Sequence, residues 1–125
     1  MEFKIDTKPN YTILIPLSNT FDANLTEALR QKWKELTESG SGNFIIDLTN
    51  CIHPDENAFE KIIKLHEEIY TQNKSLVFIN ITLELLRLLK EKKVNLLLNV
   101  APSLVEAIDI ISMEMLERDL FNEES

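Results

Sequence analysis

The chain has 125 residues, enough for one domain with a real core and no need of disulfides or metals. Its 44% hydrophobic and 27% charged residues exclude a disordered or fibrous protein. With 13 basic against 21 acidic side chains the net charge is -8, which repels nucleic-acid phosphates and anionic lipid, so neither nucleic acid nor membrane is an expected partner.

The opening stretch "FKIDTKPNYTILIPLS" alternates Phe3 and Ile5, then Tyr11, Ile13, Ile15 and Leu17, around the turn formers Pro9 and Asn10. That alternation predicts a β-hairpin. Over residues 22–39 the apolar side chains Leu25, Ala28, Leu29, Trp33 and Leu36 fall at helical spacing, with Gly40 and Gly42 expected to supply the stop. "NFIIDL" predicts a strand, and Phe59, Ile62, Ile63, Ile69 and Tyr70 predict the helix after it. "SLVFINI" is a second such strand, followed by Thr82 as N-cap and the leucine-rich helix "LELLRLLKEKK" with its positive charge near the carboxyl end. "NLLLNV" predicts a further short strand. "SLVE", beginning at Ser103, has the capping-box pattern and opens a last helix carrying Leu104, Ile108, Ile111 and Met115 on one face. Strands alternating with helices imply a mixed α/β sheet, largely parallel, with the hairpin as its antiparallel part. Phe59, Ile62, Ile63, Val77 and Ile79 are expected in the core, in a single domain over 1–125 with a frayed end at about 120–125.

The single cysteine, Cys51, cannot pair internally, "MEFKIDTK" lacks the apolar centre of a signal peptide, and every apolar run is shorter than the ~20 residues of a membrane-spanning helix. A cytoplasmic location is therefore expected.

The acid pair Asp55 and Glu56 stands after Pro54 at the front of a predicted helix. Negative side chains there are stabilised by free N–H groups and the helix dipole, typically by about 0.3–1 kcal/mol each, so capping alone explains an acid. Asp55, Glu56 and Asn57 also crowd polar groups near the carboxyl end of a parallel strand, the edge where open α/β sheets place their sites. Both readings stand at this point. His53 and Cys51 lack the further ligands a zinc site needs, and His66 lies on an apolar helix face, so no metal or cofactor is expected. Cys51 has acidic surroundings that disfavour a thiolate and is expected to fill the core. Trp33 belongs to the apolar stripe of its helix, and Arg87, Lys90, Lys92 and Lys93 read as a solvated basic face. The two glycines fall in "SGSG", so no nucleotide-binding loop is present.

Three stretches resemble the STAS domain, the fold of bacterial anti-sigma factor antagonists. "LSNTFDANLTEAL" is similar to the segment that closes the opening hairpin and begins the first helix, with Asp22 at the usual acidic position and Asn19 where glycine is common. "DLTNCIHPDENAF" is similar to the pattern D-L-S-x-V-x-x-[IM]-D-S-S-G-[LV]. "LVFINITLELLRLLKEKKVNLLLNVAPSLVEAI" parallels the last strands and helices. The resemblance implies a STAS-like mixed sheet opened by a β-hairpin, with parallel strands and about four helices.

Residue by residue, Asp47 falls on the strand-end aspartate, Leu48 and Thr49 on the Leu-Ser pair, and Asp55 on the aspartate that precedes the regulatory serine. Glu56 falls on that serine, Asn57 on the second serine and Ala58 on the glycine. In the family a partner kinase phosphorylates the serine. The phosphorylated form releases the anti-sigma factor, whereas the unmodified form binds it and frees the sigma factor. With Glu56 in place, the resemblance implies a bacterial regulator of transcription that is not phosphorylated at the usual position.

The expectation is a non-enzymatic protein-binding module whose surface around Asp22, Asp55, Glu56, Asn57 and Asn80 meets a protein such as an anti-sigma factor or a serine kinase. Its oligomeric state is left open. Two rival readings are a response-regulator-like phosphoacceptor using Asp47 with magnesium, and a small acid/base enzyme using Asp55, Glu56 and His53.

Overall fold

The computed structural model describes the backbone of residues 1–124 and the side chains of residues 1–122. Strands β1 (Phe3–Thr7) and β2 (Thr12–Pro16) form the expected antiparallel hairpin, in register from Phe3 opposite Pro16 to Thr7 opposite Thr12. The turn at Pro9 and Asn10 is closed by the Lys8 N–H donating to the Tyr11 carbonyl at 2.8 Å. A two-residue strand β3 (Thr20–Phe21) leads into helix α1 (Ala23–Thr37). Strand β4 (Phe44–Asp47) pairs in parallel with β2. The short β5 (His53–Pro54) pairs in parallel with β3, and a single 3-10 turn (Glu56–Ala58) opens into α2 (Phe59–Thr71). Strand β6 (Leu76–Ile79) pairs in parallel with β4, followed by α3 (Leu83–Glu91) and α4 (Leu104–Glu124). The main sheet has the order β1-β2-β4-β6.

Successive residues of a strand point to opposite faces, and both faces of this sheet are covered. On one face Leu14, Phe44, Ile46, Leu76 and Phe78 pack with Leu25, Leu29 and Trp33 of α1, Ile62, Leu65 and Ile69 of α2, and Leu85 and Leu89 of α3. On the other, Ile13, Ile45, Val77 and Ile79 meet Ala101 and, from α4, Ala107 and Ile111. That two-sided burial is why "FIID" and "LVFI" read as continuous apolar runs rather than alternating ones. Between α1 and α2, Arg30 holds Glu68 through two contacts, Nε to Oε2 at 2.9 Å and the terminal nitrogen to Oε1 at 3.3 Å.

The caps follow the sequence. Asp22 accepts from the Leu25 N–H at 2.8 Å, Thr82 from that of Leu85 at 3.2 Å, and Ser103 from that of Glu106 at 3.3 Å. Helices α2 and α3 both end in Schellman motifs built on left-handed residues other than glycine. Asn73 (φ 60°) donates to the Tyr70 carbonyl while Lys74 donates to Ile69. Lys93 (φ 61°) donates to Lys90 while the Val94 N–H donates to Leu89.

Several expectations are corrected. Helix α1 does not stop on a left-handed glycine: its cap, Glu38, keeps a right-handed conformation (φ -65°). Gly42 takes the positive φ (79°), where the chain turns into β4 and its carbonyl accepts from the Trp33 indole N–H at 3.2 Å. "NLLLNV" is not a strand, because Leu97 N–H closes a turn onto Val94 and only Val100 bridges to Phe78. A short apolar run alone does not distinguish a strand from a turn that buries only one of its leucines, here Leu98. Ile63 is half-buried, while Phe59, Ile62, Val77 and Ile79 are buried. Leu104 is exposed at the entry of α4, since the sheet's cover begins at Ala107. Helix α4 is assigned through Glu124, and residue 125, at the end of the stretch expected to fray, lies outside the described residues.

Candidate functional site

The acid-bearing loop is stitched to the front of α1. The Asn19 carbonyl accepts from both Ile52 and His53 N–H at 2.9 Å, and the Phe21 carbonyl accepts from the Asp55 N–H at 2.9 Å. The β3 and β5 pairing therefore brings Asp22 and Asp55 to the same end of the molecule, each at a helix entry. Phe21 and Phe59 meet below them with ring centroids 6.3 Å apart.

Asp55 has a structural occupation, since its Oδ1 accepts from the Asn57 N–H at 3.0 Å as N-cap of the 3-10 turn. It is half-buried. Glu56 and Asn57 project outward and are exposed, whereas Ala58 is fully buried beneath them. Glu56 is not solitary: its Oε2 lies 3.3 Å from the Lys92 ammonium at the end of α3. Between these groups runs a shallow groove of about 340 Å³, lined by Glu56, Asn57, Phe59, Ile63, Lys92 and Val94. The sequence places Lys92 on a solvated basic face and gives no sign of its link to Glu56. Nothing in the local pattern signals it, because the two residues belong to different helices.

Asp47 and Asn80 close the carboxyl edge of the main sheet. Asn80 stands just past β6 with a positive φ (55°), a conformation asparagine tolerates, and its side-chain amide donates to Asp47 Oδ1 at 3.1 Å. The same oxygen accepts from the Thr49 N–H at 3.0 Å. Cys51 is fully buried nearby, its thiol facing the Ser18 carbonyl at 3.4 Å. Burial, reinforced by the negative charges of Asp22 and Asp47, pushes its ionisation up to about 11, opposite to what a nucleophilic thiol needs. His53 is exposed on β5. Among the described residues no group of three or more His, Cys, Asp or Glu side chains is placed to hold a metal ion.

A second polar cluster, not foreseen from sequence, lies at the opposite end of β6. The Tyr70 hydroxyl donates to Glu114 Oε1 at 2.8 Å and receives hydrogen bonds from the Asn99 side chain and the Leu76 N–H. His66 stacks on Tyr70 with centroids 4.6 Å apart and accepts from the Asn99 N–H at 3.3 Å. Burial lowers the affinity of His66 for a proton, and burial with the Glu114 contacts raises Tyr70 to about 12. Arg118 donates to Ser75 Oγ at 2.8 Å beside it. This cluster clamps α4 and α2 to the sheet.

No protein-family model matches the chain, and no curated protein matches it. Solved structures do. A candidate anti-sigma factor antagonist from Thermotoga maritima is 13% identical with a TM-score of 0.75, covering 88% of this chain and 94% of that one. An anti-sigma-factor antagonist (STAS) domain protein from Planctomyces limnophilus is 10% identical with a TM-score of 0.70, covering 88% and 97%. A serine-to-glutamate variant of RsbS from Moorella thermoacetica is 17% identical with a TM-score of 0.70, covering 94% and 99%. No described helix is long and apolar enough to cross a membrane. The hairpin-led mixed sheet with four helices is thus the fold of the STAS domains of anti-sigma factor antagonists.

Proposed function

We propose that this chain is a non-enzymatic, cytoplasmic STAS-type module over residues 1–125 that binds a protein of the anti-sigma factor or serine kinase kind. Its recognition surface is the end of the molecule carrying Asp22, Asp55, Glu56, Asn57 and Asn80, and Glu56 holds the regulatory position in a permanently charged state. The observation that carries this reading is the placement of Glu56: exposed, next to the capping Asp55, at the entry of the turn that leads into α2. A carboxylate there supplies about one negative charge where a phosphoserine would supply about -1.5 to -2. Lys92 at 3.3 Å adds the kind of counter-ion that a phosphate would attract. The structurally similar RsbS variant likewise carries a glutamate in place of a serine, which supports this reading.

The test begins with a pull-down from native lysate and proceeds to calorimetry with the protein recovered. Glu56→Gln keeps the size and removes the charge, so it should change affinity, and Glu56→Asp should change it less. Equal affinity for the wild type and Glu56→Gln, with unchanged melts, would reduce the carboxylate to a helix-end decoration. Phosphate incorporation at any residue of this loop by a co-purifying kinase would overturn the fixed-charge reading.

A further inference from the structure

Helix α4 is apolar on two sides. Its inner side places Ala107 and Ile111 on the sheet, and among the described residues it is the only helix on that face. Its outer side carries Val105, Met113, Leu116 and Leu120, exposed by 69%, 62%, 58% and 52%. Spaced by fours and threes once Asp109 is counted, these positions share one face of the helix, with Met113, Leu116 and Leu120 in an unbroken apolar run and Asp109 separating them from Val105. Exposed apolar side chains scattered singly over a surface would not align on one helix face in this way.

The edges of the stripe say what covers it. Glu106 and Glu117 flank one side, Asp119 the other, and Asp109 stands within it, all exposed. Arg118, the one basic residue in α4, is turned inward, donating to Ser75 and lying 3.9 Å from Glu114. A second copy of this chain packed along the stripe would set acid against acid, and an anionic lipid surface would meet the same repulsion. We propose that the outer face of α4 is a docking surface for an amphipathic helix of another protein, whose apolar stripe is edged by lysine or arginine. The surface lies across the sheet from α2 and the Glu56 loop, so it is a second interface and its test is independent of that site.

Fluorescence anisotropy on the full chain tests it, using a labelled synthetic helix with leucines at three- and four-residue spacing edged by lysines, and a twin edged by glutamates. The lysine-edged helix should bind at least about tenfold more tightly than its twin and weaken as salt is raised. Leu116→Ser combined with Leu120→Ser should abolish binding without moving the thermal melt. Asp109→Lys combined with Glu117→Lys leaves the stripe intact and should erase the preference for the lysine-edged helix. Failure of the lysine-edged helix to bind, equal binding of the two, or binding that survives the double serine variant would overturn the proposal. So would a dimer in sedimentation that the same double variant dissolves.

Discussion

The ammonium of Lys92 stands 3.3 Å from Oε2 of Glu56, tying the end of α3 to the turn that opens α2. Both side chains are about half exposed, at 51% and 55%, so water and salt screen the pair and its worth is about 0–1 kcal/mol. A double-mutant cycle with Glu56→Gln and Lys92→Met, read by urea unfolding, should give a coupling in that range that shrinks at high salt. A coupling of several kcal/mol would mean that the pair is a structural latch rather than a surface contact.

Lys93 is a lysine in a conformation that glycine prefers. Its positive φ (61°) completes the Schellman motif whose buried contact joins Val94 to Leu89. A side chain in this region costs about 1–2 kcal/mol, so Lys93→Gly should stabilise the domain by up to about 1 kcal/mol after the extra flexibility of the unfolded glycine is subtracted. Lys93→Val should destabilise it. Chemical denaturation of the two variants decides, and a destabilised glycine variant would refute the argument.

What was legible in the sequence follows the range of the interactions involved. Asp22, Thr82 and Ser103 act on N–H groups three residues away, and each cap is written locally. Strands β4 and β6 were legible because burial on both faces leaves long apolar runs, and the hairpin by its alternation, whereas the two-residue β3 and β5 left no pattern. The pairing of Glu56 with Lys92, and of Tyr70 with Glu114 and Asn99, joins residues far apart in the chain and leaves no periodic trace. Helix α4 is half legible: its spacing marks Ile108, Ile111 and Met115 as one face, while Val105, Met113, Leu116 and Leu120 carry a second apolar face that the same periodicity does not single out.

The Tyr70 hydroxyl serves Glu114, Asn99 and the backbone of Leu76 together, so Tyr70→Phe removes one oxygen and leaves several partners wanting. The cost should be about 1–3 kcal/mol, measured by urea unfolding at neutral pH. A change below about 0.5 kcal/mol would show that water replaces the oxygen without loss.

Cys51 and Tyr70 set the alkaline limit. Both ionise more easily once unfolded, with ordinary values of 9.0 and 10.0 against about 11 and about 12 in the fold. Their contribution is fully present below pH 9.0 and is lost as pH rises toward 11 and 12. Cys51→Ala should remove the earlier part of that decline, and the native thiol should react with a disulfide reagent far more slowly than the unfolded one. Rapid labelling of the folded protein at neutral pH would contradict the buried, neutral thiol.

His66 sets the acid side. Burial lowers its proton affinity below the ordinary 6.5, so the unfolded chain takes up the proton first and stability falls as pH drops below that value. Protonation would also turn Nε2, which accepts from the Asn99 N–H, into a donor facing a donor. An NMR titration of the imidazole should show a midpoint below 6.5, and one at or above it would refute the assignment.

The strand order has a consequence for how the chain comes off the ribosome. The hairpin of β1 and β2 needs only residues close in sequence, but the other edge of β2 is filled by β4, with Thr12 meeting Phe44. Until that partner has been made, the almost wholly buried "TILIP" strand presents a free hydrogen-bonding edge and two apolar faces. The same wait recurs one step later, when β4 must hold its place for β6, with Phe44 meeting Leu76. Nascent chains stalled before residue 44 should therefore be the most prone to aggregate and the most dependent on chaperones, and those that extend through α4, which covers the sheet's second face, the least.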